Sequence, residues 1–197
     1  GGGGGGGSTG GSHTSGYGYR RSNPVSTIIT YTLIGVAASG GAVVCYLKVH
    51  AKARRAKKAM KQFAEVDPSW DYKDFQKRIE DIFFAVQNAW MERNQDIAKD
   101  FMSQSLYEDY SSRSQWMIIR HEKNILRNMR IIEALPVFAN DLPGDANDVM
   151  WVYLKAKMID YTVDDCTMQI TDGSTASKSF VEYWKLIKEN DRWVLDE

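Results

Sequence analysis

Residues 179–195, SFVEYWKLIKENDRWVL, decide how this chain folds. Ser179 to Ile187 is rich in aromatic and branched residues and predicts a strand. Glu189-Asn190-Asp191 is a tight hairpin signal, and Arg192 to Leu195 is a short final strand. Upstream, Asp148 to Val163 (DVMWVYLKAKMIDYTV) has the same strand composition over a longer run, and Asp172-Gly173-Ser174 predicts the turn between the two. Before it, Leu142-Pro143-Gly144-Asp145 is another turn. Asn128 to Phe138 (NMRIIEALPVF) is apolar and β-leaning, with Pro136 pointing to an edge or a bulge.

The periodicity changes ahead of these strands. From Tyr72 to Trp90 the apolar positions Phe75, Ile79, Ile82, Phe83, Val86 and Trp90 recur at three and four, which predicts an amphipathic helix of about five turns. Asp71 can cap it, and Asn94-Gln95-Asp96 breaks it. A shorter helix carries Ile97, Ala98, Phe101 and Met102. A third, from about Ser105, carries Leu106, Tyr110, Trp116 and Ile119. Helices first and antiparallel strands after them predict an α+β fold: N-terminal helices packed on a curved antiparallel sheet, enclosing a cone with an apolar mouth. Trp90, Trp116, Trp151, Tyr161 and Trp184 are the candidate pocket residues. For any one of the tryptophans a filled core is the commoner fate.

The folded domain is predicted from residue 65 to 197, with Asp67-Pro68-Ser69-Trp70 as its boundary turn. What precedes it is different in kind. Residues 1–24 are Gly and Ser with a few Tyr and no aliphatic residue, so they are predicted to be disordered. Residues 25–47, VSTIITYTLIGVAASGGAVVCYL, are an uncharged run. A helix of that length reaches about 34 Å, enough to cross a hydrocarbon core of about 30 Å. A cleavable signal sequence is the rival reading. The run continues past Ala37-Ala38-Ser39 into a basic cluster, however, which is a stop-transfer pattern. Small residues four apart (Gly35 and Ser39, Ala37 and Gly41) would allow self-association through this helix; the commoner reading is that they are merely tolerated there.

Residues 48–64 then hold Lys48, Lys52, Arg54, Arg55, Lys57, Lys58 and Lys61 with no acid before Glu65. They predict a basic juxtamembrane helix whose cations sit against anionic headgroups. All 25 acidic residues lie from Glu65 onward against 16 basic ones, so the net charge of zero hides a strong asymmetry. Seven cations on one side of the run against Arg20 and Arg21 on the other place the C-terminal domain in the cytoplasm or an equivalent negative-inside compartment. The membrane beside the basic stretch argues against a nucleic-acid partner.

Three stretches carry a family resemblance: DFQKRIEDIFFAVQNAWMERNQDIAKDFMSQSLYEDY (74–110), VYLKAKMIDYTVDD (152–165) and SFVEYWKLIKENDRWVLDE (179–197). Together they resemble the Tim-forty-four-like domain, within the nuclear-transport-factor-two-like superfamily, over Asp67 to Glu197. The strand F-x-E-Y-W followed by W-x-L-D-E, taken with the long first helix, is the specific part. The resemblance implies a cone-shaped α+β domain that is non-catalytic and associates with membrane lipid or a membrane protein complex, with a link to protein translocation or assembly. The long charged region by which the mitochondrial import-motor subunit docks a chaperone has no counterpart in these residues, so chaperone recruitment is not implied.

Chemistry-bearing residues are sparse. His13, His50 and His121 have no ligand spacing around them, and Cys166 has no partner cysteine nearby, so no metal and no cofactor is predicted. Asp164, Asp165 and Glu182 are the pocket carboxylates to weigh. Adjacent strand residues point to opposite faces, so at most one of Asp164 and Asp165 would face the mouth. Arg120-His121-Glu122 offers a weak acid–base candidate. Two function classes follow. The first is an anchored binding module for a partner protein or lipid. The alternative is a small-molecule pocket enzyme of the isomerase or dehydratase type, for which Asp160 beside Tyr161 is the best pair.

Overall fold

The computed structural model describes residues 24–144 and 148–197, with side chains from Gly41 onward. Helix α1 is Pro24–Phe63, α2 is Tyr72–Glu92 and α3 is Gln104–Ile119; strands β1 Glu122–Asn140, β2 Val149–Asp164, β3 Ile170–Glu189 and β4 Arg192–Leu195 follow. Two compact units divide the chain, Gly1–Val43 and Val44–Glu197. The disordered segment expected over residues 1–24 lies outside the described residues except for Pro24. The span expected over 25–47 is helical in backbone, but most of its side chains fall outside the described set. Among the described residues no helix is long and apolar enough to cross a membrane.

The caps explain where the helices of the second unit begin and end. Asp71 Oδ1 accepts from the Lys73 and Asp74 amides at 2.8 and 3.1 Å, as its position before the apolar period predicts. Arg93, in the left-handed region at φ 50°, closes α2. Asn94 then caps Gln95–Phe101 by accepting from the Asp96 amide; the short helix expected there is of the 3-10 kind. Ser103 Oγ accepts from the Leu106 amide and starts α3.

The sheet is an antiparallel meander in the order β1-β2-β3-β4. β1 is an edge strand, and its register slips between Pro136 and Phe138, which fits a residue without a backbone donor. Asn190 and Asp191 both have positive φ (50° and 61°), the two-residue turn that the hairpin signal demands. The turn expected at Asp172-Gly173-Ser174 lies instead inside β3. Gly173 has φ +85° and pairs with Tyr161; a Cβ there would stand 2.6 Å from Asp160 O and from Tyr161 Cα. It marks a kink in the strand, beside a register shift between Met158 and Asp160. The chain reverses earlier, at Asp165–Met168. There the Asp164 carboxylate accepts from the Cys166 and Thr167 amides and from the Thr167 hydroxyl.

One face of the sheet carries the core. Met150, Val152, Leu154 and Ala156 alternate along β2 and are fully buried, in one cluster with Phe75, Ile79, Ile82, Phe83 and Val86 of α2. Trp151, Tyr153 and Tyr183 occupy the opposite face, with the two tyrosine rings 5.7 Å apart. α1 contributes a buried stripe of its own. Val49, Ala53, Ala56 and Met60, spaced four, three and four, are all buried, and Met60 joins the main cluster. His50 Nε2 also reaches Glu133 of β1 at 3.1 Å. The basic stretch thus lies within the Val44–Glu197 unit, where Ala53 and Ala56 are packing contacts and not merely helix formers.

Candidate functional site

A cavity of about 510 Å³ opens where the end of α2, the end of α3, the start of β1 and the far half of β2 meet. Trp90, Trp116, Met117 and Tyr161 supply its apolar wall, with Arg113, Arg120, Glu122, Asn124, Asp160 and Asp172 as the polar part. Trp116 is 56% exposed, so it belongs to the mouth and not to the core. Trp90 is held edge-on to Tyr110 at 5.4 Å. Arg113 is tied to Asp109 at 2.9 Å, and Arg120 to Glu122 at 2.8 Å. Arg120 pairs with Glu122, while His121 turns to Asp165 and Cys166, so these three residues do not form an acid–base group.

Asn124 Nδ2 donates to Asp160 Oδ1 at 3.1 Å. Burial, reinforced by the nearby Asp172 charge, pushes the Asp160 carboxyl above the ordinary carboxylate range. A raised value means that ionised Asp160 works against folding at neutral pH and ceases to do so once both states are protonated. Asp160→Asn keeps the acceptor for Asn124 and should raise Tm slightly at pH 7, by no more than about 2 °C because the group is solvent-screened. The gain should vanish below the ordinary carboxylate range. Thermal melts of both chains across pH check this; a variant less stable at pH 7 would refute it.

The five candidate pocket residues do not share one site. Trp90, Trp116 and Tyr161 line the 510 Å³ cavity. Trp184 is buried, stacks on Phe83 at 6.1 Å and donates from Nε1 to Glu182 Oε2 at 2.8 Å. It reaches only a smaller neighbouring cavity of about 220 Å³, shared with Trp90 and Tyr110. Trp151, on the other sheet face, lines a groove of about 610 Å³ with Phe138, Tyr183, Ala56, Ala59, Lys52 and Arg55. Trp151 and Tyr161 are ten residues apart, so strict alternation along β2 would put them on one face; the register shift between Met158 and Asp160 lies between them, and they line different cavities.

The seven basic residues occupy the part of α1 outside its buried stripe. Lys48, Lys52, Arg54, Arg55, Lys58 and Lys61 are exposed; Lys57 is half-buried, 4.2 Å over the Tyr72 ring. None of the seven joins an ion pair among the described residues. A group that the linear reading missed is His121, Asp165 and Cys166, whose side chains meet at the turn between β2 and β3. Asp164 and Asp165 sit at that strand end, away from the cavity lining, where Asp164 caps the turn and Asp165 accepts from Arg93 at 2.6 Å.

Helices over one face of a curved four-stranded antiparallel sheet, with a cavity opening between α3 and the strand ends, define the α+β cone class. Residues 56–197 match the Tim44-like domain, and the chain belongs to that family. Among solved structures, the crystal structure of the intermembrane space region of chloroplast protein ARC6 aligns with a TM-score of 0.49 at 6% identity, over 64% of this chain and 93% of that one. No curated protein matches the chain.

Proposed function

We propose that this chain is a membrane-anchored binding module. It holds its cone beside an anionic bilayer and offers the aromatic mouth to a membrane protein complex, in work related to protein translocation or assembly. The observation that carries this reading is the two-sidedness of α1. Val49, Ala53, Ala56 and Met60 are buried against the domain, while six cations without an ion-pair partner among the described residues are exposed. A basic surface fixed to a folded domain sets the domain's orientation at an anionic surface, which a flexible basic tether does not. The uncharged run at 25–47 supplies the anchor in this reading, and the charge asymmetry about it supports a cytoplasmic domain. Membership of the Tim44-like family supports membrane association and a link to translocation.

Vesicle flotation of residues 44–197 tests the basic surface. The protein should bind anionic vesicles in preference to neutral ones, and less tightly as salt is raised. Replacing Arg54, Arg55, Lys57 and Lys58 together by Gln should weaken binding by about 1 kcal/mol per charge. Equal binding to neutral lipid, or an unaffected variant, would sink the proposal.

One observation favours the pocket-enzyme alternative, namely the raised carboxyl of Asp160 in a cavity that also holds Tyr161 and Asn124. The group that hydrogen-bonds Asp160 is Asn124, which cannot relay a proton as an acid or base. Loss of cellular function in Asp160→Asn, with fold and partner binding intact, would decide for the enzyme.

A further inference from the structure

The turn between β2 and β3 brings a thiol sulfur, an imidazole nitrogen and a carboxylate oxygen to one point. His121 Nδ1 lies 3.1 Å from Asp165 Oδ1 and 3.3 Å from Cys166 Sγ, and Cys166 Sγ lies 3.5 Å from Asp165 Oδ1. A tetrahedral Zn²⁺ with bonds of about 2.0–2.3 Å keeps its ligand atoms roughly 3.3–3.6 Å apart. The observed triangle is within a few tenths of an ångström of one face of that tetrahedron. We propose that His121, Asp165 and Cys166 form a three-ligand Zn²⁺ site whose fourth position is open to solvent.

The backbone and the neighbouring charges are arranged to hold this triangle. His121 follows the C-terminus of α3 with φ 58°, and its ring meets the β2–β3 turn. The Asp165 amide donates to His121 O at 2.8 Å, so the two ligand-bearing loops are fastened to each other. The Asp164 carboxylate accepts from the Cys166 amide at 3.0 Å and fixes the cysteine's place in the turn. Arg93, at the end of α2, takes Asp165 Oδ2 at 2.6 Å and leaves Oδ1 toward His121 and Cys166. A ligating carboxylate oriented through its other oxygen is the common outer-shell arrangement at metal centres.

A nucleophilic triad is the rival use of the same three residue types, and the geometry opposes it. In a triad the acid holds one imidazole nitrogen and the thiol meets the other. Here Asp165 and Cys166 both meet Nδ1, which suits a shared cation. The donor set selects the cation as well: sulfur and imidazole nitrogen favour zinc, whereas magnesium and calcium take oxygen ligands. His121 and Cys166 are exposed, so an ion can enter and the open position meets water.

Cobalt and zinc titrations of the full chain in detergent micelles test the site. One equivalent of Co²⁺ should produce a thiolate-to-cobalt charge-transfer band, and Zn²⁺ should displace it. Cys166→Ser and His121→Asn, the latter chosen because Asn tolerates the left-handed backbone, should each lower Co²⁺ affinity by more than about 100-fold. Arg93→Gln should cost about 10–100-fold, as outer-shell changes do. A missing charge-transfer band, or a band that survives Cys166→Ser, overturns the assignment. Should either ligand variant fail to fold, alkylation of Cys166 in the wild-type chain decides. Protection by stoichiometric Zn²⁺ supports the site, and an unchanged rate refutes it.

Discussion

A chain beginning at Glu65 is expected to lose cooperative folding, while one beginning at Val44 keeps it. The shorter chain lacks Val49, Ala53, Ala56 and Met60, all buried, and Met60 is a fully enclosed member of the main core. Met60→Ala alone should cost about 2–5 kcal/mol, the range for deleting a long apolar side chain from a core. Native domains are stable by only about 5–15 kcal/mol, so removing the whole stripe uses up much or all of that margin. The truncation also uncovers the groove that holds Phe138, Trp151 and Tyr183, apolar surface that invites aggregation. Urea unfolding of the two chains, with Met60→Ala in the longer one, checks this. A Glu65 chain that is soluble, with a sharp transition at the same midpoint, would show that the α1 stripe adds nothing to stability.

Lys188→Met is expected to be the most damaging single substitution in the sheet, at about 3–5 kcal/mol, because it leaves a buried charge without its partner. The Lys188 side chain is 2% exposed and is clamped by Asp67 and by Asp148, itself 1% exposed, whose carboxylate lies 3.1 Å away. The ammonium also sits 5.8 Å from the ring centres of Trp70 and Trp193. Burial alone would lower the lysine's pKa, but the hydrogen bonds to Asp67 and Asp148 outweigh it and leave the value raised. Burial likewise opposes ionisation of Asp67, yet Lys188 and the Ser69 hydroxyl and amide hold that carboxyl below the ordinary range. A raised lysine contributes stability that is lost only as pH rises through its folded value. A depressed carboxylate contributes stability that is lost as pH falls through its own. The cost of Lys188→Met should therefore be constant across neutral pH and shrink in strong acid. Adding Asp148→Asn to the variant should recover part of the loss, since it removes the stranded charge. Denaturant melts of both variants at pH 7 and in acid measure it; a Lys188→Met chain within 1 kcal/mol of wild type would be inconsistent with the buried clamp.

Much of the fold was legible because it rests on local rules. The three-and-four spacing from Phe75 to Val86 and the Asp71 cap placed α2, and the paired positive-φ turn at Asn190-Asp191 placed the last hairpin. Pro136 pointed to an edge or a bulge, and the strand has both, because a missing amide hydrogen is a property of one residue. The α1 stripe was also present in the sequence, as Val49, Ala53, Ala56 and Met60 among the cations. Lys and Ala are strong helix formers on any surface, so nothing local says that this face meets a sheet. The β2–β3 turn was misplaced because Asp-Gly-Ser is an ordinary turn signal. Only the pairing of Gly173 with Tyr161 shows that the glycine serves close strand approach instead.

The site divides along the same line. Residue type and period by themselves determined that this protein has helices preceding an antiparallel sheet, an aromatic-rich interior and a charge-segregated N-terminal stretch. Which aromatics share a cavity was decided by the tertiary structure, because a two-residue strand period and one register shift send Trp151 and Tyr161 to different places. The juxtaposition of His121 with Asp165 and Cys166 was decided there too. Those residues lie 44 and 45 positions apart in the chain, and only the closing of β2 on β1 brings the end of α3 against the turn. Short-range physics is written in neighbouring residues; contacts made across a sheet are written in its register, which only the folded chain possesses.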